Sequence, residues 1–248
     1  MNDEAAITRG NWLYRNPVLF EEVNGHLSDK ITSLIWRELG KSPPQRLGSV
    51  LDVGCGTGRL LHNLSPFCDR MVGVDINPAM LSHARSRLAE TEFVERDMRR
   101  LGDLGAFDLV VCVGSVVMYM YSNDDLFDSL VNLRRHVKPD GILLLGLMDA
   151  GAVIGDHSRL RTKFSIKTDG LSATGSASYK FDGPRQCMLR VRTWRTSSGE
   201  EIEDRGEYRL IFPLELDFHL STAGFSKRRT VSLNGDSLQP RLYVIAAP

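Results

Sequence analysis

Residues Val50-Leu51-Asp52-Val53-Gly54-Cys55-Gly56-Thr57-Gly58 read VLDVGCGTG, a short apolar run ending in three alternating glycines. Thr57 to Leu64 then reads as a helix. Strand, tight turn and helix in that order put a ligand at the carboxyl end of a sheet. Gly54, Gly56 and Gly58 let the backbone approach a ligand that a Cβ would block. The spacing is G-x-G-x-G, and Arg59 stands where a dinucleotide fingerprint needs its third glycine, so a nicotinamide cofactor fits poorly. No Gly-Lys-Ser/Thr follows, which excludes a phosphate-cradling loop.

The pattern repeats outward from this turn, over Gly48 to Gly146. MVGVD is a second strand, and Asn77 with Pro78 behind it is a natural start for the next helix. EFVERD and FDLVVCVGS are a third and a fourth strand. Asn123, followed by Asp124 and Asp125, is placed to cap a helix to about His136; PDG is a turn, and ILLLGL a fifth strand. Runs that stay apolar without alternating suit strands buried on both faces of a parallel sheet. The fold class expected is therefore α/β, doubly wound. Pro17 to Leu39 reads as one helix stopped by Gly40 and Pro43-Pro44. Leu160 to Arg209 changes to short runs with Asp-Gly turns, an inserted antiparallel β-layer. Pro213 starts a last helix, closed by Gly224, before a final strand pair. We expect one domain over 1–248, with a lid or helix at 1–44 and a substrate-covering insert at 160–209.

The composition narrows the function. The chain has 248 residues, 31 Lys+Arg and 31 Asp+Glu, and a zero net charge lacks the footprint of a nucleic-acid binder. No apolar run approaches the ~20 residues that span a bilayer; Leu109 to Tyr121 is short and broken by Gly114 and Ser115. The N-terminus shows no export signal, and the four cysteines have no CxxC spacing. A cytoplasmic protein with reduced thiols is expected, without nucleic-acid or membrane partners.

Acids close the strands around the glycine turn. Asp52 could face a ligand ammonium, Asp75 could accept from two ribose hydroxyls, and Asp97 could take an adenine amino hydrogen with Met98 on the ring. S-adenosylmethionine carries those three parts in that order. VLDVGCGTG, VGVDINPAM and ERDM together resemble the class I S-adenosylmethionine-dependent methyltransferases over roughly residues 48–148. The resemblance implies a seven-stranded, mostly parallel sheet whose last strand is antiparallel. It further implies a cofactor site at Asp52, Gly54, Cys55, Gly56, Asp75, Ile76, Met80, Asp97, Met98 and Val113, with S-adenosylhomocysteine as product. The N-terminal Tyr-bearing segment, the insert and Leu210-Ile211-Phe212 before the last helix resemble amino-sugar N,N-dimethyltransferases of antibiotic biosynthesis. A small-molecule acceptor methylated on N or O is the activity so implied. A protein of this fold that binds the cofactor but catalyses a cyclisation, or a non-catalytic binder, are the rivals.

Candidates for contact with the acceptor are Tyr14, Tyr119 and Arg209. Tyr14 could be a lid residue or a packing aromatic. Tyr119 and Tyr121 could orient an acceptor, while Met118 and Met120 suit an apolar wall. Glu207 and Arg209 share a face of the last insert strand, as a substrate clamp or as a solvated surface. The six histidines have no metal-ligand spacing, so no metal is expected; His157 is the one to test as a base. Cys55 fits the turn as a small residue better than as a nucleophile. Arg159 to Arg195 holds nine Lys/Arg against Asp169 and Asp182, which suits an anionic substrate or a solvated face. A homodimer is left open.

Overall fold

A computed structural model describes residues 11–40, 46–155, 160–232 and 241–248. In chain order the helices are α1 (Pro17–Asn24), α2 (His26–Glu38), α3 (Arg59–Leu64), α4 (Pro78–Arg87), α5 (Asn123–Arg135), α6 (Ala150–Gly155) and α7 (Pro213–Thr222). The strands are β1 (Leu47–Val53), β2 (Cys68–Asp75), β3 (Glu92–Glu95), β4 (Phe107–Cys112), β5 (Val137–Met148), β6 (Lys163–Thr168), β7 (Leu171–Asp182), β8 (Cys187–Thr196), β9 (Glu201–Arg209), β10 (Lys227–Ser232) and β11 (Arg241–Ala247).

Seven strands form one sheet in the order β10-β11-β5-β4-β1-β2-β3. Only β11 runs antiparallel to its neighbours, β10 and β5. The expected doubly wound sheet is therefore present, with its last strand reversed. Leu51 and Val53 of β1 pack in a core with Leu126, Leu130 and Leu133 of α5 and Leu216 and Leu220 of α7. Val50 faces the opposite core, formed with α2, α3 and α4. Two-sided burial is what their unbroken apolar runs required; each such side chain contributes about 1.5–3 kcal/mol relative to exposure.

Local chemistry sets several boundaries differently from the sequence reading. Gly58 adopts φ +72°, so the helix after the turn begins at Arg59, not Thr57. Asn77 caps α4 as expected, its Oδ1 accepting from Ala79 N at 3.0 Å and Met80 N at 3.4 Å. At α5 the cap is Ser122, whose hydroxyl accepts from Asp125 N at 3.0 Å, and Asn123 becomes the first helical residue. The helix read over Pro17 to Leu39 is two, α1 and α2, joined at Gly25. The expected PDG turn lies inside β5 as a bulge. Pairing jumps there from Phe107–Val137 to Leu109–Ile142, leaving the intervening residues looped out of register.

The insert is a separate four-stranded antiparallel sheet, β6-β7-β8-β9. Its inner face meets the N-terminal segment in a third core of Trp12, Leu13, Leu19, Val23, Phe164, Ile166, Ala173 and Trp194. The Trp12 and Trp194 rings lie 5.2 Å apart. Trp194 lies against β7 at Gly175, where a Cβ would come within 2.7 Å of the indole. The insert and the N-terminal segment thus share one apolar seam, standing beside the carboxyl ends of β4 and β5.

Candidate functional site

The glycine turn is tied to β2 by two hydrogen bonds, from Gly54 N and Cys55 N to Val74 O at 2.7 and 2.9 Å. Gly54 sits at φ +79°, and a Cβ there would lie 2.3 Å from Val116, so no other residue fits. Facing the turn, Asp75 ends β2. Its Oδ2 accepts from Gly56 N at 2.8 Å and its Oδ1 from Asn77 N at 2.9 Å. Each oxygen keeps a lone pair for a ligand hydroxyl. Burial pushes the Asp75 carboxyl above its ordinary value, and the backbone N–H bonds only partly offset this. Asp97, one strand further, accepts from Arg99 N at 2.8 Å and from the Arg99 guanidinium. Burial works to raise this carboxyl too, but the Arg99 bonds outweigh it and hold Asp97 below the usual value.

These strand ends open into one cleft. Of the expected residues, Gly54, Gly56, Asp75, Ile76, Met80, Asp97, Met98, Val113, Tyr14 and Tyr119 line it. The structure does not bring the other three to it. Asp52 points away, 2% exposed on the Val50 side of β1, because alternation along the strand sends it beneath the turn. Burial, with Asp75 nearby adding, pushes its carboxyl up to about 7. Cys55 is likewise buried under the turn, its sulfur 3.0 Å from where a Cβ on Gly73 would stand. Burial and the neighbouring Asp75 and Asp52 raise this thiol well above its ordinary value, which removes it as a nucleophile.

Arg209 is the third correction. It is 5% exposed and donates to Met120 O at 3.3 Å, to Asn123 and to Glu215. It therefore ties β9 to α5 and α7 and is no substrate clamp. The register explains why: Leu189 pairs with Glu207 and Cys187 with Arg209, whereas Met188 pairs with Tyr208 and Arg190 with Gly206. Glu207 and Arg209 do share a face, but the cavity lies on the other one. Glu207 bonds Arg185 and accepts from Tyr121 Oη through its backbone oxygen at 3.0 Å. Tyr121 is thereby a strut under the insert. His157 falls outside the described residues.

On the cavity side, β8 presents Arg190 and Arg192, which no sequence reading singled out. With Arg161, Tyr14, Tyr208 and Asn11 they line a second space. Their i, i+2 spacing on one strand was the available signal. Tyr14, Phe20 and Gly114 line both spaces, so the two are contiguous. At their boundary Tyr14 Oη and Tyr119 Oη lie 2.9 Å apart. Burial, with Tyr208 adding, pushes Tyr14 up to about 12, and burial raises Tyr119 well above its ordinary value. Both phenols are protonated at neutral pH and serve as hydrogen-bonding groups. Tyr14 is held over the cleft by Asn77 Nδ2, which donates to its backbone oxygen at 2.9 Å. Glu21 of α1 reinforces this through Arg87 of α4, at 2.5 and 2.6 Å.

The family model described as a methyltransferase domain matches residues 50–141, the span from the glycine turn into β5. That span carries a methyltransferase domain. Its fold is the class I S-adenosylmethionine-dependent type. DesVI of Streptomyces venezuelae superposes with a TM-score of 0.73 at 21% identity, covering 100% of this chain and 99% of that one. CalS10, an amino pentose methyltransferase of Micromonospora echinaspora solved with S-adenosylmethionine bound, gives 0.70 at 19% identity over 99% and 95%. These likenesses show that the insert and N-terminal segment belong to the shared fold as well. In sequence the domain is 35% identical over 114 residues to trans-aconitate 2-methyltransferase of Escherichia fergusonii, 45% of this chain and 43% of that protein. The chain spans about half the length of the curated relatives it matches. No helix among the described residues is long and apolar enough to cross a membrane.

Proposed function

We propose that this chain binds S-adenosylmethionine in the first cleft and transfers its methyl group to N or O of a small molecule held in the second. The observation that carries this reading is the delivery of Gly54 and Gly56, Asp75, and Asp97 with Met98 into one cleft from three adjacent parallel strands. The residues fit the cofactor. The bare backbone of Gly54 leaves room a side chain would fill, Asp75 has acceptor capacity for a diol, and Ile76, Met98 and Val113 offer an apolar slot for a base. When bound, the sulfonium supplies an already activated methyl for in-line displacement. The protein's own part is then alignment, worth several kcal/mol of the barrier. Tyr14 and Tyr119 orient the acceptor at the boundary through neutral hydroxyls, and the N-terminal segment covers the cleft against water.

For the acceptor, the likeness to CalS10, an amino pentose methyltransferase, over nearly the whole chain supports a sugar or related natural-product substrate, while the trans-aconitate relative supports a carboxylate. Both are small molecules. Substituting Asp75→Ala tests the cofactor reading. Losing a charge-assisted acceptor costs about 1.5–3 kcal/mol, so titration calorimetry should show S-adenosylmethionine binding at least about ten-fold weaker in a folded variant. Unchanged affinity would overturn the assignment.

A further inference from the structure

The arginines of the second space are unequally satisfied. Arg192 and Asp204 are fully engaged with each other: Arg192 Nε lies 3.1 and 3.0 Å from the two carboxylate oxygens and Nη2 2.7 Å from Oδ2, which also accepts from Trp194 Nε1 at 2.9 Å. Arg190 shares the same carboxylate only at ion-pair distance, without a hydrogen bond. Its side chain is 11% exposed, and its Nε and Nη2 make no hydrogen bond among the described residues. The nearest carboxylate oxygen, Asp204 Oδ1, is 3.5 Å from Nη2 and already receives Arg192. Across the ladder from Arg190 stands Gly206, where a Cβ would lie 3.2 Å from Nη2, so the pairing strand contributes no side chain there. The Arg190 guanidinium lies over the Tyr208 ring, its Cζ 5.3 Å from the centroid.

The whole space has the same imbalance. Among the described residues Arg161, Arg190 and Arg192 line it and no Asp or Glu does, while Asp204 behind Arg190 and Arg192 supplies a single negative charge. A buried guanidinium with idle donors is a poor arrangement for stability and a prepared one for an oxyanion, which matches its fork of donors. From Arg190 the space runs to the Tyr14–Tyr119 hydroxyl pair, where it meets the first cleft.

We infer that Arg190 is the anchor for an anionic acceptor, whose carboxylate or phosphate it binds while the opposite end of the molecule reaches the tyrosine pair. This deepens the methyl-transfer reading and rests on it for the word acceptor; the anion site itself stands on the cavity alone. Calorimetric titration of the full chain, with and without S-adenosylhomocysteine, tests it with three probes: citrate, inorganic pyrophosphate and the uncharged triethyl citrate. At least one anion should bind and the ester should not, with citrate or pyrophosphate telling carboxylate from phosphate. Arg190→Met should weaken that anion by about ten-fold or more, Arg190→Lys, which keeps the charge but loses the fork, should recover only part of that loss, and S-adenosylhomocysteine binding should be unchanged in both. Failure of both anions to bind, equal binding of the ester, or equal affinity in Arg190→Met overturns the inference. If Arg190→Met fails to fold, the anions against the ester on the unaltered chain still decide between the two outcomes. Absence of S-adenosylhomocysteine binding in the unaltered chain would overturn the methyltransferase reading and leave the anion result standing by itself.

Discussion

Asp52 shows how one residue can belong to a ligand motif and still answer to the core. Its Oδ1 has no partner among the described residues, and burial pushes its carboxyl up to about 7 from 3.8. The folded chain therefore holds a proton that the unfolded chain releases. Stability from this group is full below about pH 4 and is lost as the pH rises through 7. A difference of that size corresponds to about 4 kcal/mol between the two limits. The melting temperature of the ligand-free protein should fall between pH 6 and pH 8 by more than in Asp52→Asn, which has no charge to bury. Parallel pH dependences in the two proteins would show that Asp52 does not titrate there. Asp75, by contrast, keeps both oxygens on backbone N–H groups at the cleft wall, and its position was legible because a strand-end acid beside a glycine turn is a local arrangement.

At the scale of elements, β8 and β9 are bound by a buried charge cluster. Asp204 is shielded from solvent, accepts from Arg192 and Trp194, and lies near Arg190. Removing it would leave two guanidinium groups buried without a counter-charge. Breaking such a pair costs about 3–5 kcal/mol. Denaturant unfolding of Asp204→Ala should show a loss of that order, with Asp204→Asn recovering part of it through the Trp194 bond. A loss below about 1 kcal/mol would mean that water or another carboxylate reaches the site. The strand alternation that placed Glu207 and Arg209 on one face was right as geometry. It could not say which face met the cavity, since that depends on how β9 pairs with β8 and where the sheet then packs.

Across the whole molecule the insert depends on the N-terminal segment. Trp12 and Leu13, far from β8 in sequence, complete the seam with Phe164, Ile166 and Trp194. Trp12→Ala should cost about 3–5 kcal/mol, the usual loss for a large buried aromatic. Amide exchange should rise first in β6, β7 and β8, while β1, β4 and β5 keep their protection. Uniform loss of protection across both sheets would show instead that the two sheets unfold as one unit.

By itself the sequence determined what adjacency along the chain controls. The apolar runs specify a parallel sheet because strands buried on both faces need nonpolar residues at every position. Gly54 and Gly58 specify the turn because their positive φ strains any other residue. Asn77 with Pro78 specifies the start of α4, and the acids at the ends of β2 and β3 follow from where those strands stop. Only the tertiary structure decided which polar groups are spoken for. Arg209 finds Glu215 and Asn123, Arg192 finds Asp204, and Nε and Nη2 of Arg190 find no hydrogen bond among the described residues, although all three arginines lie in the same short antiparallel insert. Strand register and the packing of distant helices set these outcomes. A buried charge takes its character from the partners that folding brings within about 3 Å, and the linear chain does not contain those distances.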